Sequence, residues 1–386
     1  MLQLLFAQVV HGQERITIDP SRTSSGRLAM SDLIESIDYI PLETDGRCYI
    51  GDIRLERHVL VSPNYILICY ETPSSGLRSF YLFNRKGKFI AQIGSFGRGP
   101  EEYFHNAMPY AIDESSNQIV ISNSMGGKLM YYDMAGKFVK AEEVDRNVLG
   151  WIFRAKVGNQ FFHANSSVPT QSQVTQGRTA TFSFRVISND NKLIRERTDE
   201  LVTVWSQDMH SFYVYNGQLH YKQSHLNDTL YRINQNLLYQ PKYIINAGRY
   251  SVYGGLSARE FFQEKAAFTS VFETDSYLLI SYRYKEKSHF QYYDKKSRRS
   301  FMFDSNDGIP NDYDGGLDFW PRQQNGNEFV AWYNAYLFEE NQNATRPKGS
   351  RQAIGNFTQT VREIEDFTRI NLTEANPVIV IVKLKQ

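Results

Sequence analysis

The sequence predicts an all-β chain: a six-bladed β-propeller of four-stranded antiparallel blades, with a short helical insertion in the last blade. Three observations predict it. A strand–turn–strand unit recurs, and its two clearest copies lie 49 residues apart. Aromatic residues reach 14%, led by 25 Tyr and 25 Phe, and such side chains pack well on a pleated, half-buried surface. Two strand-like segments, one near each end of the chain, lack a neighbour in the repeat and fit each other.

The clearest copies are Ser79–Ile90 and Lys128–Val139. Each reads as an apolar strand, then Asn/Asp-x-x-Gly-Lys-Phe, then a second apolar strand. Asn84 or Asp133 starts the turn by bonding its own backbone, and Gly87 or Gly136 supplies the positive φ that closes it. Upstream of the second copy, Tyr110–Asp113 and Asn117–Ser122 give two more strands. The unit is therefore 110–113, 117–122, 128–133 and 138–143, four antiparallel strands in the length of one propeller blade. Weaker copies follow: Phe182–Ser188 with Leu193–Thr198, Thr229–Ile233 with Leu237–Ile245, and Phe290–Asp294 with Ser300–Phe303. Val378–Lys385 has no following partner and Ile37–Glu43 no preceding one. Their pairing completes a sixth blade and removes the free sheet edges.

One amphipathic helix stands out. Phe357, Val361, Ile364 and Phe367 recur at spacings of four, three and three, with Arg362, Glu363, Glu365 and Asp366 between them. It lies within an insertion over about 340–370, preceded by a polar stretch, Asn341–Arg351, read as a loop. The propeller domain is placed at 36–386, with an N-terminal extension at 13–35.

Composition narrows the function. Lys+Arg 43 against Asp+Glu 42 gives a net charge of +1, without the concentrated basic field that nucleic-acid binding requires. The apolar run Val378–Val382 is far too short to span a bilayer. Leu2–Val10 is apolar and Val10-His11-Gly12 offers slim residues before Gln13. Residues 1–12 are read as a truncated export signal lacking its basic region, an N-terminal strand being the other reading. No nearby cysteine could take a lipid. Cys48 and Cys69 are read as two buried thiols, with a single bridge as the alternative.

The unit at 110–143 resembles the NHL type of propeller repeat. From about Ile37 the chain is similar to a bacterial family of exported, mostly uncharacterised six-bladed β-propellers. The marks are Tyr39-Ile40-Pro41-Leu42-Glu43, Gly97-Arg98-Gly99-Pro100-Glu101-Glu102-Tyr103, Asn227-Asp228-Thr229-Leu230-Tyr231, Asp314-Gly315-Gly316 with Phe319-Trp320-Pro321, and Asn376-Pro377-Val378. The resemblance implies the fold and export. It implies no activity and supplies no catalytic residues.

In such a ring the connections from each outer strand to the next inner strand share one face, which commonly carries the binding site. Arg98, Glu102 and Tyr103 sit on one such connection, and Asp312, Asp314 and Trp320 on another. These six are the expected ligand-binding residues around one channel mouth. Trp320 offers a flat apolar ring with one N–H donor. Arg98 offers a fork for a carboxylate, and the acids could orient hydroxyls. Each also has a plain packing or pairing role available. A phosphate cradle at Arg98–Tyr103 is disfavoured because no helix follows. The acidic stretch Asp304–Asp314 lacks EF-hand spacing and is read as a solvated, turn-rich loop. No zinc spacing, Gly-x-Ser-x-Gly elbow or sialidase-type Asp box occurs, so no metal, cofactor or catalytic residue is assigned. The expected function is an extracytoplasmic binding scaffold, monomeric, secreted to the periplasm or cell surface, for a glycan, a peptide or a partner protein. The alternative is a hydrolase or lyase with a metal-assisted site at the channel mouth.

Overall fold

The computed structural model describes residues 14–21, 26–51, 53, 58–104, 106–144, 149, 153–158, 160–167, 180–201, 211–222, 228–252, 258–343 and 351–385. The reading of 1–12 as an export signal falls outside them. The chain is mostly β, organised as four-stranded antiparallel sheets, which is the build of a β-propeller. In chain order the early strands are β1 (Glu14–Thr17) and β2 (Ile34–Pro41), with a short helix α1 (Met30–Leu33) between them. The first sheet is β3 (Val59–Val61), β4 (Tyr65–Glu71), β5 (Arg78–Asn84) and β6 (Phe89–Gln92). The second is β7 (Met108–Asp113), β8 (Gln118–Asn123), β9 (Lys128–Asp133) and β10 (Phe138–Glu143). The third is β11 (Phe153–Val157), β12 (Gln160–Ser167), β13 (Ala180–Ser188) and β14 (Leu193–Leu201).

Next come β15 (Ser211–Tyr215), β16 (Gln218–Lys222), β17 (Thr229–Ile233) and β18 (Tyr239–Asn246). A helix α2 (Ala258–Glu264) leads to β19 (Ala267–Glu273), β20 (Tyr277–Tyr284), β21 (Lys287–Asp294) and β22 (Arg299–Met302). The last group is β23 (Gln323–Asn325), β24 (Glu328–Tyr333), β25 (Val378–Leu384) and β2. β2 runs antiparallel to β25, with Tyr39 opposite Val380 and Pro41 opposite Val378. Two further pairings stitch a nine-stranded sheet. β1 lies parallel along the outer edge of β18, and one bridge, Val214 to Asn325, joins β15 to β23.

Apolar clusters lie between consecutive sheets. Phe80 and Leu82 of the first meet Ile119, Ile121 and Tyr132 of the second. Phe162 and Phe184 of the third meet Leu219 and Tyr221 of the fourth. Ile40, Val330 and Ile379 of the last group meet Val59, Ile66 and Ile68 of the first. Buried apolar area of this kind supplies the main stabilisation. Cys48 and Cys69 are both buried free thiols.

The repeated turn has a second job beyond closing a hairpin. Asn84 Oδ1 accepts from the N–H groups of Lys86 and Lys88, and Asp133 Oδ1 from those of Ala135 and Lys137. Gly87 and Gly136 follow at φ +76° and +80°. A Cβ on Gly87 would lie 1.8 Å from the Pro41 carbonyl oxygen, and one on Gly136 1.9 Å from that of Gln92. Each turn therefore seats its glycine against the outer strand of the preceding sheet. The Glu43 N–H donates to the Gly87 carbonyl (2.8 Å) and the Gly94 N–H to that of Gly136 (3.1 Å).

The insertion in the last group differs from the sequence reading at its start. A helix α3 (Tyr336–Gln342) already covers Asn341 and Gln342, which were read as loop. Ala335, at its start, and Phe338 within it are fully buried, so packing overrides the polar end of the segment. The second helix, α4 (Arg351–Thr368), buries Phe357, Val361 and Ile364 against Phe338 and Tyr39.

Candidate functional site

The six expected ligand residues are engaged in two separate local networks. In the connection after β6, Glu102 Oε2 accepts the Gly99 N–H at 2.8 Å. A Cβ on Gly97 would lie 1.8 Å from that carboxylate, so the glycines make room for Glu102. Tyr103 is fully buried, edge-on to Phe80 at 4.8 Å, and burial raises its phenol well above the ordinary value. Arg98 is exposed, with its guanidinium 5.5 Å from the Phe104 ring centre.

After β22, Asp312 accepts both the backbone N–H (2.9 Å) and the hydroxyl (2.6 Å) of Ser31. Asp314 is buried and accepts from Asn311 Nδ2 (2.8 Å) and the Gly316 N–H (3.0 Å). Trp320 Nε1 donates to Ser270 Oγ at 2.9 Å, and its ring packs against Phe290, Phe272 and Phe303. Among the described residues no group of three His, Cys, Asp or Glu side chains is placed to hold a metal ion.

A denser cluster lies elsewhere, between β15–β18 and β19–β22. Glu273 ends β19 with its side chain only 1% exposed. Its carboxylate accepts from Lys242 Nζ at 2.7 and 2.9 Å, Lys295 Nζ at 2.7 Å and the Tyr213 hydroxyl at 2.9 Å. Gln324 clamps the same residue's backbone, accepting its N–H at 3.0 Å and donating to its carbonyl at 2.6 Å. Burial pushes the Glu273 carboxyl upwards, but Lys242 and Lys295 together outweigh it and hold the group below its usual value. Tyr213 is driven well above the ordinary phenol range by burial and then by Glu273.

His220 stacks on Tyr213 with ring centres 4.8 Å apart. Burial, then the neighbouring Lys242 ammonium, lowers its imidazole to about 4. The ring is neutral near pH 7, with Nδ1 3.2 Å from the Gln218 carbonyl and Nε2 3.0 Å from Lys242 Nζ. Nδ1 therefore donates and Nε2 accepts.

A cleft of about 740 Å³ opens beside this cluster and meets it at Lys242 and Gln218. Its walls include Arg15 of β1, Gln218, Arg232, Gln240, Lys242 and Arg298. Arg232 donates through Nε and Nη2 to Gln240 Oε1 (2.9 and 2.5 Å) and through Nη1 to Gln218 Oε1 (3.3 Å), which leaves one N–H on each terminal nitrogen. Glu14, also in the wall, accepts from the Tyr293 hydroxyl and lies 3.3 Å from Arg298 Nε.

The cluster sits where the inner strands β15, β19 and β23 end, opposite to the end that the outer-to-inner connections enter. Sequence reasoning looked at the connections and missed it. A signal was present: His220 and Lys222 alternate inside β16, and Glu273 closes the uncharged stretch Ala267–Phe272. Titratable groups at positions that a strand buries on both faces point to a buried polar network.

Comparison with known proteins bears on fold and family. The "putative exported protein" of Bacteroides fragilis NCTC 9343 superposes with a TM-score of 0.60 at 16% identity, covering 97% of this chain and 99% of that one. A member of the DUF4221 family from Bacteroides vulgatus ATCC 8482 gives 0.46 at 10% identity, over 92% and 97%. No curated protein matches significantly. No helix among the described residues is long and apolar enough to cross a membrane. The family profile described as "Domain of unknown function (DUF4934)" matches residues 13–383, and the chain belongs to that family.

Proposed function

We propose that this protein is an exported, non-catalytic binding scaffold: a six-bladed β-propeller whose ring is closed by β2 on β25 and which takes its ligand in the cleft between β15–β18 and β19–β22. Each four-stranded group counts as one blade, and the packing of the last group on the first supports a closed ring. The likeness, over 97% of this chain and 99% of the other, to a structure named a "putative exported protein" supports export.

The observation that carries the binding reading is the cleft and the buried cluster beside it. The cleft has the volume of a small-molecule site and a wall of polar side chains. The buried carboxylate that Lys242 reaches from the cleft wall is fully committed. Glu273 is ionised and bound by Lys242, Lys295 and Tyr213, so it is not a general base held near neutral pH. His220, the nearest imidazole, spends both nitrogens on Gln218 and Lys242. This is the chemistry of a rigid support.

Arg98, Glu102, Tyr103, Asp312, Asp314 and Trp320 are assigned to shaping two inter-blade junctions: Glu102, Asp312, Asp314 and Trp320 hydrogen-bond other protein groups, Tyr103 packs on Phe80, and Arg98 lies near the Phe104 ring. The experiment is a binding screen of the full chain against glycans, peptides and small metabolites, repeated with Gln218→Trp. Gln218 is exposed on the cleft wall, so the indole obstructs the cleft without entering the core. Loss of binding in a variant with unchanged melting places the ligand in the cleft; retained binding moves the site elsewhere. Mass analysis of the recovered ligand checks for turnover, and a cleaved product would replace the scaffold reading with an enzyme.

A further inference from the structure

The cleft holds more positive charge than its own carboxylates neutralise. The chain as a whole is balanced at +1, so the excess is a matter of placement. Arg232 is exposed on β17 and both of its hydrogen-bonded partners, Gln218 and Gln240, are neutral amides. Two glutamines hold the guanidinium in position without cancelling its charge. Arg15 is exposed on β1. Its carboxylate influence is Asp228, which it shares with the buried lysine Lys222. Lys242, in the cleft wall, shares its one carboxylate, Glu273, with Lys295. Among the described residues, Arg298 alone of the cleft's cations has an unshared carboxylate, Glu14, which also accepts from Tyr293.

A fixed guanidinium with unspent N–H donors recognises planar oxyanions, and a second cation nearby favours a ligand with more than one of them. The amides of Gln218 and Gln240 can turn to hydroxyls once Arg232 has an anionic partner. The volume of about 740 Å³ suits a small molecule or a short oligomer.

Taking the cleft as the binding site proposed above, we infer that it binds a small ligand carrying two or more carboxylate or sulfate groups. The same chemistry has two sources, a free polyacid and an acidic oligosaccharide. β1 is part of this site, because Arg15 and Glu14 reach the wall only when the strand is paired with β18.

The test is calorimetry on the full chain at low salt with three probes: citrate, trigalacturonate and the neutral trisaccharide maltotriose. Binding of citrate or trigalacturonate, and of maltotriose not at all, is the expected result. Citrate alone identifies a free polyacid and trigalacturonate alone an acidic saccharide; either supports the inference. Affinity should fall as salt rises. Arg232→Gln should weaken binding about ten-fold with unchanged melting, and Gln218→Trp should abolish it. Maltotriose bound as tightly as trigalacturonate, and lost in Gln218→Trp, overturns the anionic class while leaving the cleft as the site. Anionic probes that bind equally to both variants overturn the cleft itself. Failure of both anionic probes to bind overturns the inference.

Discussion

Replacing Gly136 by alanine tests how the repeated turn joins neighbouring sheets. Gly136 has φ +80°, and a side chain in the left-handed region costs about 1–2 kcal/mol. The second effect is contact. The new Cβ would lie 1.9 Å from the Gln92 carbonyl oxygen, where ordinary contact begins at 3.4 Å. The obstacle is backbone of the preceding sheet and cannot rotate away as a side chain would. Turn and strand must separate by more than an ångström, and the Gly94-to-Gly136 hydrogen bond goes with them, at about 1 kcal/mol. The sum is about 3 kcal/mol. At about 2.1 cal/mol/K per residue, 386 residues give an unfolding entropy of about 0.8 kcal/mol/K, so Tm should fall by about 4 °C. Gly76→Ala is the control. Gly76 also has a positive φ, +66°, but meets nothing within 4 Å. It should lose only the backbone share, about 2 °C by the same conversion. Differential scanning calorimetry of the two variants measures the difference. Equal shifts would refute the claim that the turn glycine is a contact between sheets.

Three further outcomes follow from buried polar groups. Glu273→Gln leaves two ammonium groups without their shared counter-ion and should cost about 3 kcal/mol, seen as a fall in Tm; unchanged melting would show that Lys242 and Lys295 re-solvate freely. The pH dependence follows from His220, whose folded value of about 4 lies below the ordinary 6.5. The unfolded chain takes up a proton that the folded one refuses, so stability from this group is full above pH 6.5 and lost as pH falls towards 4, by about 3 kcal/mol. His220→Phe should remove that part of the acid slope in urea titrations, and an unaltered slope would contradict it. Asn376→Leu should cost about 3 kcal/mol. Its amide donates to the carbonyls of Glu43 and Cys48 (2.7 Å each) and accepts the Ile50 N–H at 2.6 Å, all of which lose a partner; a Tm within a degree of wild type would refute this.

What could be read from the sequence was whatever depends on neighbours in the chain. The strand–turn–strand copies at 84 and 133 announce themselves because one Asx side chain and one glycine close each turn. The helix at 351–368 is legible from its apolar stripe, whereas the helix at 336–342 is not, because Phe338 is held by Tyr39 and Phe357 from distant segments. The motif Gly97–Tyr103 was visible as a motif, but its reason was not. Glycines there accommodate the Glu102 carboxylate, which looks the same in sequence as glycines arranged for a ligand.

The cleft shows the limit most clearly. Its parts come from β1, β15–β18, β19 and the β21–β22 turn, so no spacing rule connects them. Each would be unremarked alone: an Arg on a strand, a Lys after a Pro, a Glu at a strand end. Together they obey a constraint that sequence can express only weakly. A buried carboxylate must be paired, and in a ring of sheets its partners come from whichever turns end at the same level. Glu273 following six residues of an otherwise uncharged strand raises that question, and Lys242 answers it from a strand 31 residues away and Lys295 from a turn 22 residues away.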